Sequence, residues 1–71
     1  MNERLVNTTI IETLGRNGAS KVDDLFKQVQ KLHKGVDRRL FDENLMALEL
    51  HGLIRVYSMA RNQRRVELAK V

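Results

Sequence analysis

Apolar residues recur at intervals of three and four along most of the chain and at intervals of two near its end, a pattern that predicts helices followed by strands. Leu5, Val6, Ile10, Ile11 and Leu14 form one stripe and predict a first helix over about residues 3–15. Thr8, Thr9 and Thr13 lower its intrinsic propensity, so packing must help to hold it. Gly15 and Gly18, around Arg16 and Asn17, supply its stop. A second helix over about 20–33 places Val22, Leu25, Phe26, Val29 and Leu32 on its apolar face. Ser20 is the expected cap, with Asp23 three positions on in a weak capping-box pattern, and Gly35 is the expected end. The third helix, about 37–51, has the clearest start. Asp37 caps it, and Val36 with Phe41 makes a hydrophobic staple. Phe41, Leu45 and Leu48 form its seam, Leu40 flanks it, and Gly52 closes it.

From Ile54 the period is two. Ile54, Val56 and Ser58 alternate with Arg55, Tyr57 and Met59, and Val66 and Leu68 share one face after the polar break Ala60–Gln63. Two such runs predict a β-hairpin with strands at about 54–59 and 64–69, and Asn62 tolerates a left-handed turn backbone. The fold class is therefore α+β, mostly α, in a single domain over residues 1–71.

Charge changes the picture more through its distribution than its total of +4. Residues 1–54 sum to zero, whereas Arg55, Arg61, Arg64, Arg65 and Lys70 face Glu67 alone in the remainder. A second excess, Lys27, Lys31, Lys34, Arg38 and Arg39 against Asp37, runs through the second and third helices. Clustered cations suit a polyanion, and equally suit a plain solvated surface. The lysines near the end of the second helix also complement its dipole.

Other chemistry finds little support. The absence of cysteine excludes disulfides and thiolate metal sites. His33 and His51 lack the further ligands that a metal needs, so no metal or cofactor is expected. Ser20 and Ser58 have no histidine in triad order, and no glycine-rich phosphate loop is present, so no enzyme is expected. No apolar run is long enough to span a bilayer, and the start of the chain lacks a signal core, so a cytoplasmic protein that does not enter membranes is expected.

The junction Leu48-Glu49-Leu50-His51-Gly52-Leu53-Ile54 resembles the winged-helix family. There a leucine, often an acid and two variable residues precede a glycine that turns the chain off the recognition helix, and two apolar residues then enter the core. The resemblance spans about residues 5–70, and the chain looks like the reader domain of small bacterial and archaeal transcription regulators, including the multiple-antibiotic-resistance type, without singling out one subfamily. It implies a winged helix-turn-helix: three helices followed by a two-stranded wing. It also implies binding of double-stranded DNA, in transcription regulation or as a nucleoid-associated factor, with the third helix at the major groove. The matching positions are Lys31, Lys34, Arg38 and Arg39 near the turn, and Arg61, Asn62, Arg64 and Arg65 on the wing.

The third helix departs from the family pattern in the middle of its outer face, which carries Asp42, Glu43, Met46, Glu49 and Leu50. Carboxylates there oppose base reading and favour contacts dominated by phosphate. Met46 and Leu50 either finish the core against the first helix or form an apolar patch for a protein partner. The alternative function is accordingly a protein-interaction winged helix that uses Asp42, Glu43, Met46 and Leu50, within a transcription, replication or membrane-remodelling assembly. A homodimer through the first helix or a sheet edge suits either function. Tyr57 either covers a sheet face or stacks on a base.

Overall fold

The computed structural model describes residues 3–69. Helix α1 runs Glu3–Asn17, strand β1 Ser20–Lys21, α2 Val22–Leu32, α3 Arg38–Leu50, β2 Ile54–Ser58 and β3 Arg64–Leu68, with a 3₁₀ turn Ala60–Asn62 between the last two. The three strands form one antiparallel sheet in the order β1-β3-β2. Three helices with a terminal hairpin give the mostly α, α+β layout of a winged helix-turn-helix. The sheet has one strand more than the sequence predicts.

The third helix follows its sequence signals closely. The Asp37 carboxylate accepts from the Leu40 backbone N–H at 2.8 Å, and the staple residues Val36 and Phe41 are both buried. At the other end Gly52 takes φ +75, and the N–H groups of Gly52 and Leu53 donate back to the carbonyls of Glu49 and Leu48. This is a Schellman stop, which satisfies two carbonyls that the helix leaves open.

The first two helices depart from expectation at their boundary. Gly15 lies inside α1, and the stop is Gly18 (φ +77), whose N–H donates to the Leu14 carbonyl at 2.8 Å. Ser20 does not cap α2. It lies extended in β1, opposite Val66 on β3, and its hydroxyl donates to the Gly18 carbonyl at 3.2 Å. The N-cap is Lys21, which makes no side-chain cap bond. Pairing with the edge of β3 satisfies backbone groups that a helical Ser20 would have left to its side chain. The helix ends at Leu32, before Gly35, and the turn to α3 is closed by Val36 N–H on the His33 carbonyl at 3.0 Å.

The core joins all three helices to one sheet face. Val6, Ile10 and Leu14 of α1 meet Val22, Leu25 and Val29 of α2, Val36, Phe41, Leu45 and Leu48 around α3, and Ile54 and Val66 of the sheet. Truncating a fully buried member such as Phe41 to alanine costs about 3–5 kcal/mol, enough to unfold a domain this small. Met46 and Leu50 do not finish this core, since they are 62% and 81% exposed. Their side of α3 points away from α1, because the helix buries the stripe of Phe41, Asn44, Leu45 and Leu48. Of the two apolar residues after Gly52, Ile54 enters the core, whereas Leu53 remains half-exposed.

The hairpin tip is tight. Met59 N–H donates to the Gln63 carbonyl across the turn, and Arg61 (φ 64) and Asn62 (φ 60) are both left-handed. Asparagine tolerates that region, whereas for arginine it costs roughly 1–2 kcal/mol.

Candidate nucleic-acid interface

The site begins at the first turn of α3. With Asp37 fixing the cap, Arg38 and Arg39 leave the helix start in different directions. Arg38 folds back over aromatic rings: its guanidinium carbon lies 5.3 Å from the Phe26 centroid and 5.9 Å from that of Phe41. Those rings pack on each other at 5.1 Å. From that seat Arg38 donates to Asp23 Oδ1 at 2.9 Å and to Asp42 Oδ1 at 3.1 Å. Burial pulls its pKa down, but the hydrogen bonds and charges of Asp23 and Asp42 outweigh this and hold it above the ordinary arginine value. Arg38 is thus a brace between the starts of α2 and α3.

Arg64, the first residue of β3, reaches the same carboxylate, with Nη2 4.0 Å from Asp42 Oδ1. Asp42 therefore lies between Arg38 at the start of α3 and Arg64 beside the tip of the wing, so both arginines approach one carboxylate. Arg39 stands beside them with a side chain 90% exposed and one i,i+4 pair, to Glu43 at 3.2 Å. Such a pair is worth only a few tenths of a kcal/mol, so a phosphate can displace it. The 4.0 Å contact of Arg64 is at the outer limit of an ion pair and is as readily exchanged. Arg61 and Asn62 are exposed at the turn.

The electropositive surface is less uniform than the sequence suggests. Within the cluster Arg38, Arg39 and Arg64 are matched by Asp23, Asp42 and Glu43, so the two acids in the middle of α3 engage the arginines at its start. Lys31 and Lys34, with Lys27 and Gln30, line a shallow groove on the outer side of α2. Among the described residues, no ion pair or hydrogen bond joins that group to the Arg38–Asp42–Arg64 cluster. Arg65 also stands apart. It follows Arg64 in an extended strand and so points to the opposite sheet face, where it pairs with Lys21 and Tyr57 and approaches the Ala19 carbonyl at 3.5 Å. Lys21 is not among the cations that the sequence pattern predicts, because its place depends on β1, where the pattern predicts a helix start.

Below the cluster, Asp42, Leu45, Met46, Glu49, Val56 and Arg64 line a groove between α3 and the wing, with Met46 exposed on its rim. On the far side, α1 buries Val6, Ile10 and Leu14 and leaves Leu5 exposed and Ile11 half-buried near exposed Leu53. Among the described residues no group of three acidic or histidine side chains is arranged to hold a metal, and no helix is long and apolar enough to cross a membrane. His33 instead sits 2.7 Å from the Thr9 hydroxyl and links α2 to α1.

The layout is that of a winged helix, with the start of α3 and the tip end of the wing approaching each other at Asp42. Comparison with protein families, with curated proteins and with solved structures finds no match to this chain.

Proposed function

We propose that this chain is a DNA-binding winged-helix protein of the kind resembled by small transcription regulators, and that it grips duplex DNA mainly through phosphates. It acts in transcription control or as a chromosome-associated factor. The observation that supports this reading most is the joint approach of Arg38 and Arg64 to Asp42, which sets the wing and the start of α3 on one side. Arg39, Arg64, Arg61 and Lys34 then contact phosphate, with Lys31 and Asn62 beside them, while Arg38 holds the helix start in place. Asp42 and Glu43 on the middle of α3 disfavour base reading, so affinity depends little on sequence.

The test is duplex binding by Arg39→Ala and Arg64→Ala. Each is expected to weaken binding to unrelated duplexes by a similar factor, and a loss confined to one sequence would count against phosphate-dominated binding.

A second reading, a module that docks a protein through α3, is favoured by the exposure of Met46 and Leu50. Met46→Ser separates the two, because it removes the apolar side chain without adding a charge beside Arg64. Under duplex binding it leaves affinity nearly unchanged, and under protein docking it weakens association, including any self-association visible in sedimentation.

A further inference from the structure

Strand alternation divides the neighbouring arginines of β3 between two surfaces. Arg64 lies on the face of buried Val66, toward α3, and Arg65 lies with Glu67 on the outer face. The register then assembles one rung across all three strands. Lys21 of β1 is opposite Arg65 of β3, and Arg65 is opposite Tyr57 of β2. The next rung pairs Arg55 with Glu67. Core residues occupy the other face of this sheet; Tyr57 is 39% exposed in a shallow cavity shared with Arg55 and with Glu49 of α3, and Lys21 and Arg55 are exposed on the same face.

Two features of this rung ask for an anionic partner. Lys21 and Arg65 are like charges directly opposite each other, an arrangement that destabilises a bare sheet and that a bound phosphate relieves. Neighbouring strands lie about 5 Å apart, so the cations stand roughly 5 and 10 Å across the sheet from the tyrosine. A flat aromatic flanked by cations at that spacing suits a base stacked beside its own phosphates. Bases in a duplex are already stacked and paired and offer no free ring face. A second copy of this chain would bring three more cations against Lys21, Arg65 and Arg55, with only Glu67 to offset them.

We propose that this outer sheet face binds single-stranded nucleic acid, with Tyr57 stacking on a base and Arg65, Lys21 and Arg55 meeting the adjoining phosphates. This surface is separate from the duplex-binding surface around Arg39 and Arg64 and stands or falls independently of it.

Tyr57 is the one tyrosine of the chain and no tryptophan is present, so its emission reports the site without a label. Titration with oligothymidylate at low salt is expected to quench that emission. In anisotropy measurements with labelled oligothymidylate, Tyr57→Ala is expected to weaken binding by about 5- to 150-fold, the range for loss of one stacked base. Tyr57→Phe keeps the ring and the affinity. Arg65→Ala weakens binding and lowers the salt slope by about 0.7, while Arg64→Ala changes neither. A duplex is titrated in parallel, where Arg64→Ala acts and Tyr57→Ala does not. Unquenched emission at saturating oligonucleotide overturns the proposal. So does an Arg65→Ala protein that binds as wild type, or an Arg64→Ala protein that loses single-strand binding as strongly as Arg65→Ala. Loss of duplex binding alone would overturn the proposed function and leave this inference standing.

Discussion

Replacing Arg38 with alanine separates what holds this fold from what contacts a ligand. Arg38 makes two ion pairs, but its side chain is 42% exposed and the carboxylates are 77% and 44% exposed, so solvent screening leaves each pair at about 0–0.5 kcal/mol. Its position over Phe26 and Phe41 adds roughly 0.5–1 kcal/mol of cation–π attraction. Its aliphatic stem also covers part of these rings, and uncovering about 20–40 Å² of apolar surface costs about 0.5–1 kcal/mol. The total is about 1–3 kcal/mol, and near 2 kcal/mol Tm falls by roughly 8–16 °C for a domain of this size. Arg39→Ala removes a single surface pair and is expected to cost no more than about 0.5 kcal/mol. Urea unfolding followed by far-ultraviolet circular dichroism measures both. Adding salt to about 1 M should shrink the Arg38 effect only partly, because the ring contacts are not screened as the ion pairs are. Arg38→Lys should recover less than half of the loss, since it keeps the charge without the planar fork. If Arg38→Ala and Arg39→Ala cost the same, the brace between α2 and α3 does not exist.

Three further outcomes follow from the same geometry. Gly15→Ala should stabilise the protein by about 0.5–1 kcal/mol, because Gly15 is inside α1 and its new Cβ would meet only Leu68 Cδ1 at 3.9 Å, whereas Gly52→Ala should destabilise by about 1–2 kcal/mol through its positive φ. Thermal melts that rank the two the other way would refute the assignment of the helix stops. Asp37→Ala should cost about 1 kcal/mol in urea unfolding through loss of the cap to Leu40 N–H, and a cost below about 0.3 kcal/mol would show the cap to be dispensable. Asp42→Asn should tighten duplex binding about twofold, as expected from releasing Arg64 from a half-exposed pair worth no more than about 0.5 kcal/mol; unchanged or weaker binding would argue that Asp42 does not face the DNA.

What could be read in the sequence was whatever depends on near neighbours. The cap at Asp37, the staple of Val36 and Phe41 and the stop at Gly52 each involve residues within one or two turns, and all appear in the structure. Strand β1 was hidden because Ser20 and Lys21 are extended only through pairing with Val66 and Arg65 at the other end of the chain. Taken alone, a serine three residues before an acid reads as a helix start. The i,i+4 spacing of Arg38 and Asp42 lies open in the sequence, but the approach of Asp23 and Arg64 to that pair depends on how α2 and the wing pack against α3. The separation of Arg64 from Arg65 follows from alternation, yet which of the two faces α3 is fixed only by the buried side of Val66. Whether Met46 and Leu50 finish the core or stay exposed is open in the sequence, because the packing direction of α1 decides it, and the structure leaves both exposed.

The central claim is that the start of α3 and the wing form one surface for duplex phosphates, and salt dependence tests it most directly. If Arg39, Arg64, Arg61 and Lys34 each meet a phosphate, log affinity should fall against log salt with a slope of about −3.6, roughly a 150-fold loss between 50 and 200 mM. A duplex affinity that stays flat across that range, or no duplex binding at the lower concentration, would contradict the account.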